Sequence, residues 1–189
     1  SLIALAGAIY FYISSPILLS PNEHITQQKI ITIDINEDGT SFEHITWRIN
    51  VNSQLVRFSP GEWGIYIPKD SSNIQIKQEG TNIDFLLEDS QNPDFDLLLF
   101  KSQEGILGST EKEYDLSYTV DKNPLVFEPS YYYKRTFTRF DTDDLFSVII
   151  SVPKNSEIYS LAKKPDKEYI KEGKTTLEFS LGKNQTEEI

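Results

Sequence analysis

The sequence predicts an all-β protein: an antiparallel β-sandwich of immunoglobulin-like type with pseudo-repeated halves, preceded by a hydrophobic N-terminal helix. Three observations support this prediction. Apolar and polar residues alternate with a period of two along most of the chain after residue 25. Gly, Pro, Asn and Asp separate the alternating runs, as they do in β-turns. Residues 1–22 contain no Asp, Glu, Lys, Arg or His, which sets them apart from the rest of the chain.

Residues 1–22 have the composition of a membrane anchor followed by a linker. The apolar stretch from Leu2 to Ile13 would span about 18 Å as a helix, and a full crossing needs roughly 20 apolar residues. Pro16 would kink or end any continuation. We interpret the segment as the outer half of a transmembrane helix with aromatic side chains at the interface. The expected anchor residues are Leu2, Ile3, Leu5, Ile9, Tyr10, Phe11, Tyr12 and Ile13.

Other interpretations of the N-terminal segment stay open. Runs of 10–14 apolar residues are often buried core helices. A cleaved signal peptide would normally begin with basic residues, which are missing here. A hydrophobic helix also packs the core of filaments built from subunits of the type IV pilin kind, although Pro16 would interrupt such a helix early.

The predicted strands begin after the anchor. Ile31, Ile33 and Ile35 form one alternating run, and the turn at 36–39 leads into a second run with Ile45, Trp47 and Ile49 on one face. A further clear alternation joins Tyr114, Leu116, Tyr118 and Val120. The remaining strand candidates are 63–67, 73–77, 83–87, 95–101, 113–120, 131–140, 145–152, 156–161 and 175–181.

An internal repeat predicts two related halves. The segment from Ile65 to Ser71 resembles the segment from Ile150 to Ser156, and each is followed by a Glu-Gly pair and a strand. Glycine after glutamate supplies the positive φ that a tight turn requires, and residues 163–170 read as a hairpin insertion in the second copy. We therefore expect a single ectodomain over 23–189, with two modules, 23–108 and 109–189, as the alternative.

The order of these motifs resembles a known family. A strand and a Glu-Asp-Gly turn precede the runs 42–47, 64–68 and 114–118, as in the ectodomains of predicted membrane proteins of archaea and bacteria. The likeness covers roughly residues 25–182 and rests on motifs that many β-sheets share. It implies an extracytoplasmic β-sandwich beside one or more transmembrane helices. The function of that family is largely uncharacterised, so the resemblance assigns no functional residues.

Composition narrows the function classes. The formal net charge of -11 disfavours nucleic acid as a partner, because phosphates attract cations. The chain has no cysteine, which removes thiolate metal sites, disulfides and cysteine nucleophiles. The sequence also lacks the common phosphate-loop, dinucleotide, serine-hydrolase and zinc-protease motifs. We therefore expect no cofactor and no catalysis.

One acidic turn resembles the beginning of a calcium loop. Asp34, Asn36 and Asp38 precede Gly39 with the spacing of alternating oxygen ligands. The twelfth position of such a loop should be acidic, but it is Ile45, and strands rather than helices flank the turn. An acidic hairpin turn explains the same residues, and calcium is the weaker hypothesis.

The most unusual run extends from residue 131 to residue 140 and concentrates aromatic and basic residues in an acidic protein. As a single strand it would place Tyr131, Tyr133, Arg135, Phe137 and Arg139 on one face. Aromatic and arginine side chains are enriched at protein contacts and sugar-stacking surfaces. A core strand with paired cations is the alternative. Elsewhere, Asn184 begins an N-glycosylation sequon, a triplet that is common by chance.

Together these patterns predict a structural or protein-interaction module on the extracytoplasmic side of the cell membrane, anchored through its N-terminal helix. Its expected partner is a protein of the cell envelope or another copy of itself. A subunit of an extracellular filament or surface layer, packed through residues 1–19, is one alternative. A carbohydrate-binding module centred on residues 131–140 is another.

Overall fold

A computed structural model describes most of the chain after the N-terminal segment. The described residues are 25–51, 57–58, 62–90, 92–101, 106–107, 110–121, 126–127, 130–131, 136–139, 143–154, 156, 158 and 163–189. The predicted anchor, residues 1–22, lies outside them. Over the described ranges, no helix is long and apolar enough to cross a membrane.

The described residues form strands joined by turns, which confirms the prediction of an all-β protein. The longer strands are β1 (Ile25–Ile35), β2 (Ser41–Val51), β4 (Glu62–Pro68), β5 (Ser71–Gln78), β7 (Phe85–Asp89), β8 (Phe95–Lys101), β10 (Thr110–Val120), β14 (Asp143–Pro153), β15 (Lys167–Lys171) and β16 (Lys174–Ser180). The short strands are β3 (Arg57–Phe58), β6 (Thr81–Asn82), β9 (Ile106–Leu107), β11 (Val126–Phe127), β12 (Ser130–Tyr131), β13 (Thr136–Arg139) and β17 (Gln185–Glu188). Ser156 and Ile158 are not in a strand, unlike the prediction for 156–161.

The main sheet has eight strands in the order β15-β16-β14-β1-β2-β10-β5-β6. Its neighbours are antiparallel except for β1 and β14, which run parallel with Ile31 opposite Val148. The sheet is therefore mixed, whereas the sequence predicts an antiparallel sheet throughout. Its one parallel pair joins two strands that lie more than a hundred residues apart in the sequence. Strand β10 lies between β2 and β5, so one sheet draws its strands from both sides of residue 108.

Alternation places one apolar face of this sheet in the core, as predicted. On β2, Ile45, Trp47 and Ile49 are buried, and β10 buries Tyr114, Leu116, Tyr118 and Val120. Ile33 and Val148 are completely inaccessible on the two central strands. Because direct cross-strand partners share a face of the sheet, these side chains form one continuous apolar surface.

A second sheet covers part of that surface. It has three strands in the order β4-β8-β7 and contributes Ile67, Leu98 and Phe100 to the core. The Phe100 ring meets Trp47 edge-on, at 6.4 Å between centroids, and lies 5.2 Å from Tyr114. This aromatic cluster joins the two layers into a sandwich-like arrangement. The β13–β17 pair adds Phe137 and Ile189 to the same core.

The repeated Glu-Gly pairs form matching turns. Glu79 and Gly80 have φ of 50° and 82°, and Glu172 and Gly173 have φ of 53° and 77°. Successive positive φ values are typical of the tight turns that connect antiparallel strands. The turns match, but their surroundings differ: β6 ends the main sheet, whereas β16 lies between β14 and β15. The preceding Pro68 and Pro153 even end strands of different sheets.

A carboxylic acid is buried in the core of this mostly apolar structure. Glu43 has no accessible surface and lies directly between Ile33 and Tyr118 on neighbouring strands. The Tyr118 hydroxyl, also buried, donates a 2.7 Å hydrogen bond to Glu43 Oε2. A hydrogen bond of this kind offsets part of the cost of removing the carboxyl from water.

Candidate interaction surface

The three-stranded sheet carries a group of exposed apolar side chains around its edge strand β7. Tyr66 is 60% exposed and Leu86 is 56% exposed, and they extend from different strands of the same small sheet. We call this group the β7 surface. Its members are Tyr66, Phe85, Leu86, Leu87 and the half-buried Leu97 and Leu99. Adjacent exposed apolar residues are typical of contact surfaces rather than of solvated ones.

Strand register explains how the β7 surface is assembled. Leu86 pairs with Leu99, and Tyr66 pairs with Leu97, so these four side chains share the outer face of the sheet. Phe85 and Leu87 point toward the core side, yet they remain 38% and 40% exposed because β7 lies at the sheet edge. The surface therefore continues from the outer face around the edge strand.

Gly64 keeps the outer face flat. A Cβ atom at this position would lie 3.1 Å from Leu97 Cδ1 and 3.2 Å from Leu99 Cδ2, closer than ordinary van der Waals contact. The two leucines occupy the space that a side chain on β4 would need. Glycine thus allows an even apolar layer over the strand pair.

The outer backbone edge of β7 has no partner strand in the part of the chain that the structure describes. Among the described residues, β7 pairs only with β8, and all five of its residues are exposed. Such an edge presents free N–H and C=O groups to an incoming strand. Backbone pairing at a sheet edge, combined with contacts from alternate side chains, is a common mode of peptide and protein recognition.

Acidic residues border the apolar part of β7. Asp84 precedes it, and Glu88 and Asp89 follow it. Lys69 Nζ donates a 2.9 Å hydrogen bond to Asp89 Oδ1 and lies 3.9 Å from Asp96. Within the described part of the chain, neither Asp84 nor Glu88 has an ion-pair partner. The edge therefore presents a negative charge on each side of an apolar centre.

The Lys69–Asp89 contact predicts a measurable titration. The hydrogen bond and the charge of Lys69 hold the pKa of Asp89 below its usual range. A carboxyl with a lowered folded-state pKa stabilises the fold above the unfolded-state value of about 4, and this contribution is lost as pH falls through the folded-state pKa. We expect Lys69→Met to return the pKa of Asp89 to its ordinary value in an NMR pH titration. Lys77→Met, on the other sheet, should leave it unchanged, and equal Asp89 titrations in both variants would contradict the assignment.

A polar groove lies on the outer face of the main sheet. His44, Gln75, Lys77, Asp115 and Ser117 line a shallow depression of about 240 Å³. His44 Nε2 lies 3.1 Å from Asp115 Oδ1, which also accepts a 3.2 Å hydrogen bond from Thr46. Both members of the histidine–aspartate pair are partly exposed, at 40% and 31%. The groove is a partly exposed polar surface in which His44 and Asp115 are hydrogen-bonding partners.

The predicted calcium residues each have a protein partner. Asp34 pairs with Lys174, and Asp38 Oδ1 accepts hydrogen bonds from the backbone and the hydroxyl of Thr40. These bonds lower the pKa of Asp38. Asn36 Nδ2 donates to the same threonine hydroxyl. In the described ranges no group of three or more His, Asp or Glu side chains is placed to hold a metal ion. The geometry is that of an acidic hairpin turn.

The aromatic and basic run is only partly described. Phe137 is buried in the core at 4% exposure, and the half-buried Arg139 donates a hydrogen bond to the Leu181 carbonyl. Tyr131 lies in the short strand β12, while its side chain and residues 132–135, including Tyr133 and Arg135, lie outside the described residues. Asn184 occupies an exposed turn with φ of 54° before β17.

Sequence reasoning did not identify the β7 surface. The available signal was the interruption of alternation at Phe85, Leu86 and Leu87, three consecutive apolar residues between acids. In a half-buried strand, three such residues cannot all face the core. Whether the excess residue was exposed depended on the position of the strand in the sheet, which the sequence pattern does not reveal.

The chain is similar in fold to several proteins of known structure. No family model and no curated protein matches the chain. A proposed protease from Parabacteroides distasonis matches 86% of the chain with 16% identity and a TM-score of 0.53. A proposed nutrient-binding protein from Legionella pneumophila matches 85% with 7% identity and a TM-score of 0.55. The chain spans 36% and 63% of these two proteins, respectively. At such identities the likeness concerns the fold alone.

Proposed function

We propose that this chain is a protein-interaction module whose contact surface is the β7 surface. The observation that carries the proposal is a strand edge with no partner strand among the described residues, combined with exposed Tyr66, Leu86 and Leu87 on the same small sheet. Backbone pairing would supply affinity and the apolar side chains would supply contact area. In this role the chain binds its partner through a flat apolar surface and does not catalyse a reaction.

The proposal includes placement at the membrane. Residues 1–22 would form a hydrophobic helix, and an immunoglobulin-like sandwich would lie on the extracytoplasmic side of the cell membrane. The uncharged composition of that segment supports the anchor. We expect the 189-residue chain to stay with the membrane pellet during alkaline carbonate extraction. Release of the chain into the supernatant would contradict the anchor. It would not test the β7 surface as a contact surface.

Site-specific photo-crosslinking tests the contact surface. A benzophenone amino acid at Leu86 or Tyr66, in the full chain in its producing cells, should yield a discrete crosslinked protein on irradiation. The matched control is the same probe at Asn50, which is exposed on the outer face of the main sheet. Adding Leu87→Asp to the Leu86 probe should remove the product. Equal products at Leu86 and Asn50, or none at Leu86 and Tyr66, would overturn the proposal.

A further inference from the structure

The main sheet ends in a second exposed edge, strand β15. Every residue of β15 is exposed, with Ile170 at 67% and Tyr169 at 36%. Among the described residues, β15 pairs only with β16, so its other backbone edge is open. Its sequence is Lys-Glu-Tyr-Ile-Lys, with a lysine on each side of the central residues.

Contacts with β16 hold this edge in place. Lys167 Nζ donates a 2.9 Å hydrogen bond to Glu178 Oε2, and the Tyr169 hydroxyl donates a 2.7 Å bond to Glu178 Oε1. These bonds lower the pKa of Glu178, and the bond to Glu178 raises the pKa of Lys167, as expected when two opposite charges stabilise each other. The Glu172-Gly173 turn fixes the register of the hairpin. A preformed edge loses less conformational entropy when another strand pairs with it.

The two open edges are complementary in charge. Strand β7 carries acids on both sides of an apolar centre, and β15 carries lysines in the corresponding places. If Leu86 lies opposite Tyr169 in an antiparallel pair, Phe85 faces Ile170. The charged ends then pair as Asp84 with Lys171 and as Glu88 with Lys167. Cross-strand pairs of opposite charge stabilise a sheet, and apolar pairs do the same. The remaining pair, Leu87 with Glu168, is unfavourable.

Pairing of like edges is disfavoured by the same charges. Two β7 strands centred on Leu86 would place Asp84 of each copy opposite Glu88 of the other. Two β15 strands centred on Tyr169 would place Lys167 opposite Lys171. Like charges directly opposite each other destabilise a strand pair. The charge pattern therefore favours pairing of β7 with β15 over pairing of two β7 strands or of two β15 strands.

We propose that β7 of one copy of this chain pairs with β15 of a second copy, as an antiparallel extension of the sheet; this inference rests on the proposed function of the β7 surface. The two edges differ, so the contact is head-to-tail. After one such contact the first copy still has an open β15 and the second still has an open β7, so repetition produces an open row or a ring of copies. The partner is thus another copy of the same chain.

Cysteine crosslinking tests the register directly, because the chain has no cysteine of its own. Phe85→Cys and Ile170→Cys, prepared separately in detergent-solubilised full chain, should form a disulfide-linked dimer when they are mixed under mild oxidation. Either variant alone should give much less dimer. In a parallel pair with Leu86 opposite Tyr169, Leu87 would instead lie opposite Ile170. A mixture of Leu87→Cys and Ile170→Cys should therefore crosslink poorly if the strands are antiparallel. Equal dimer from the single variants and the mixture, or no dimer in the mixture, would overturn the proposal.

Charge exchange tests the complementarity. Lys171 and Asp84 are exposed and, within the described residues, have no ion-pair partner. Lys171→Glu or Asp84→Lys should weaken self-association about threefold to tenfold by sedimentation of the full chain in detergent. The double variant should recover to within about twofold of the wild type, because the pair is restored with reversed signs. Lys183→Glu, exposed in the turn before β17, is the matched control and should have little effect.

The outcomes separate this inference from the proposed function. A photo-crosslink from Leu86 to a different protein, without self-association, would uphold the interaction surface and overturn pairing between copies. Loss of association in Lys183→Glu equal to that in Lys171→Glu, or a double variant that does not recover, would also overturn it. Absence of any partner at Leu86 and Tyr66 would contradict both proposals.

Discussion

Replacing Phe100 with alanine is expected to lower the free energy of unfolding by about 3–5 kcal/mol, the usual cost of truncating a buried phenylalanine. Phe100 is 2% exposed and contacts both Trp47 and Tyr114, which belong to the opposite layer. The substitution removes apolar contacts and leaves a cavity between the two sheets. Urea denaturation followed by circular dichroism measures the change.

Leu99→Ala is the matched control for Phe100→Ala. Leu99 precedes Phe100 on the same strand but lies half-buried on the outer face, beside Gly64. We expect its truncation to cost about 1–2 kcal/mol, since less apolar surface returns to water. A cost for Phe100→Ala no larger than that for Leu99→Ala would show that the aromatic cluster does not join the layers.

Breaking the Glu43–Tyr118 hydrogen bond from one side is expected to cost about 1–3 kcal/mol, because a buried polar group then loses a partner. Both residues have no accessible surface, and the bond is 2.7 Å long. Tyr118→Phe and Glu43→Leu should each destabilise the fold in urea denaturation. The double variant should lie within about 1 kcal/mol of the wild type, because an apolar pair replaces a polar one.

Tyr114→Phe provides the control for the loss of a hydroxyl. The Tyr114 hydroxyl is buried and has no hydrogen-bond partner among the described residues. Its removal should leave the stability unchanged or slightly higher, since a buried polar atom is lost without loss of a bond. If Tyr114→Phe destabilised the fold as much as Tyr118→Phe, the hydrogen bond to Glu43 would not explain the effect.

The β7 surface shows which features of the fold a local sequence pattern can predict and which it cannot. Alternation correctly placed Trp47 and Tyr118 on buried faces, because neighbouring residues of a strand point to opposite sides whatever the strand pairs with. The same rule gave no indication that β7 and β15 are edges. An edge is defined by a missing neighbour, and neighbours are chosen by contacts between distant parts of the chain. For that reason the sequence pattern indicated a contact surface at residues 131–140 and did not indicate one at residues 84–89.

By itself, the sequence determined the all-β class, the buried faces of the main strands and the two Glu-Gly turns. Each depends on interactions within a few residues: the two-residue repeat of a strand and the freedom of glycine to adopt positive φ. Only the tertiary structure decided that β1 lies parallel to β14 and that Tyr118 donates a hydrogen bond to Glu43. It also decided that the acidic strand β7 is an edge of the small sheet and the basic strand β15 an edge of the main sheet. These features join residues far apart in the chain, and the pairing of distant strands depends on the whole set of competing contacts rather than on any local pattern.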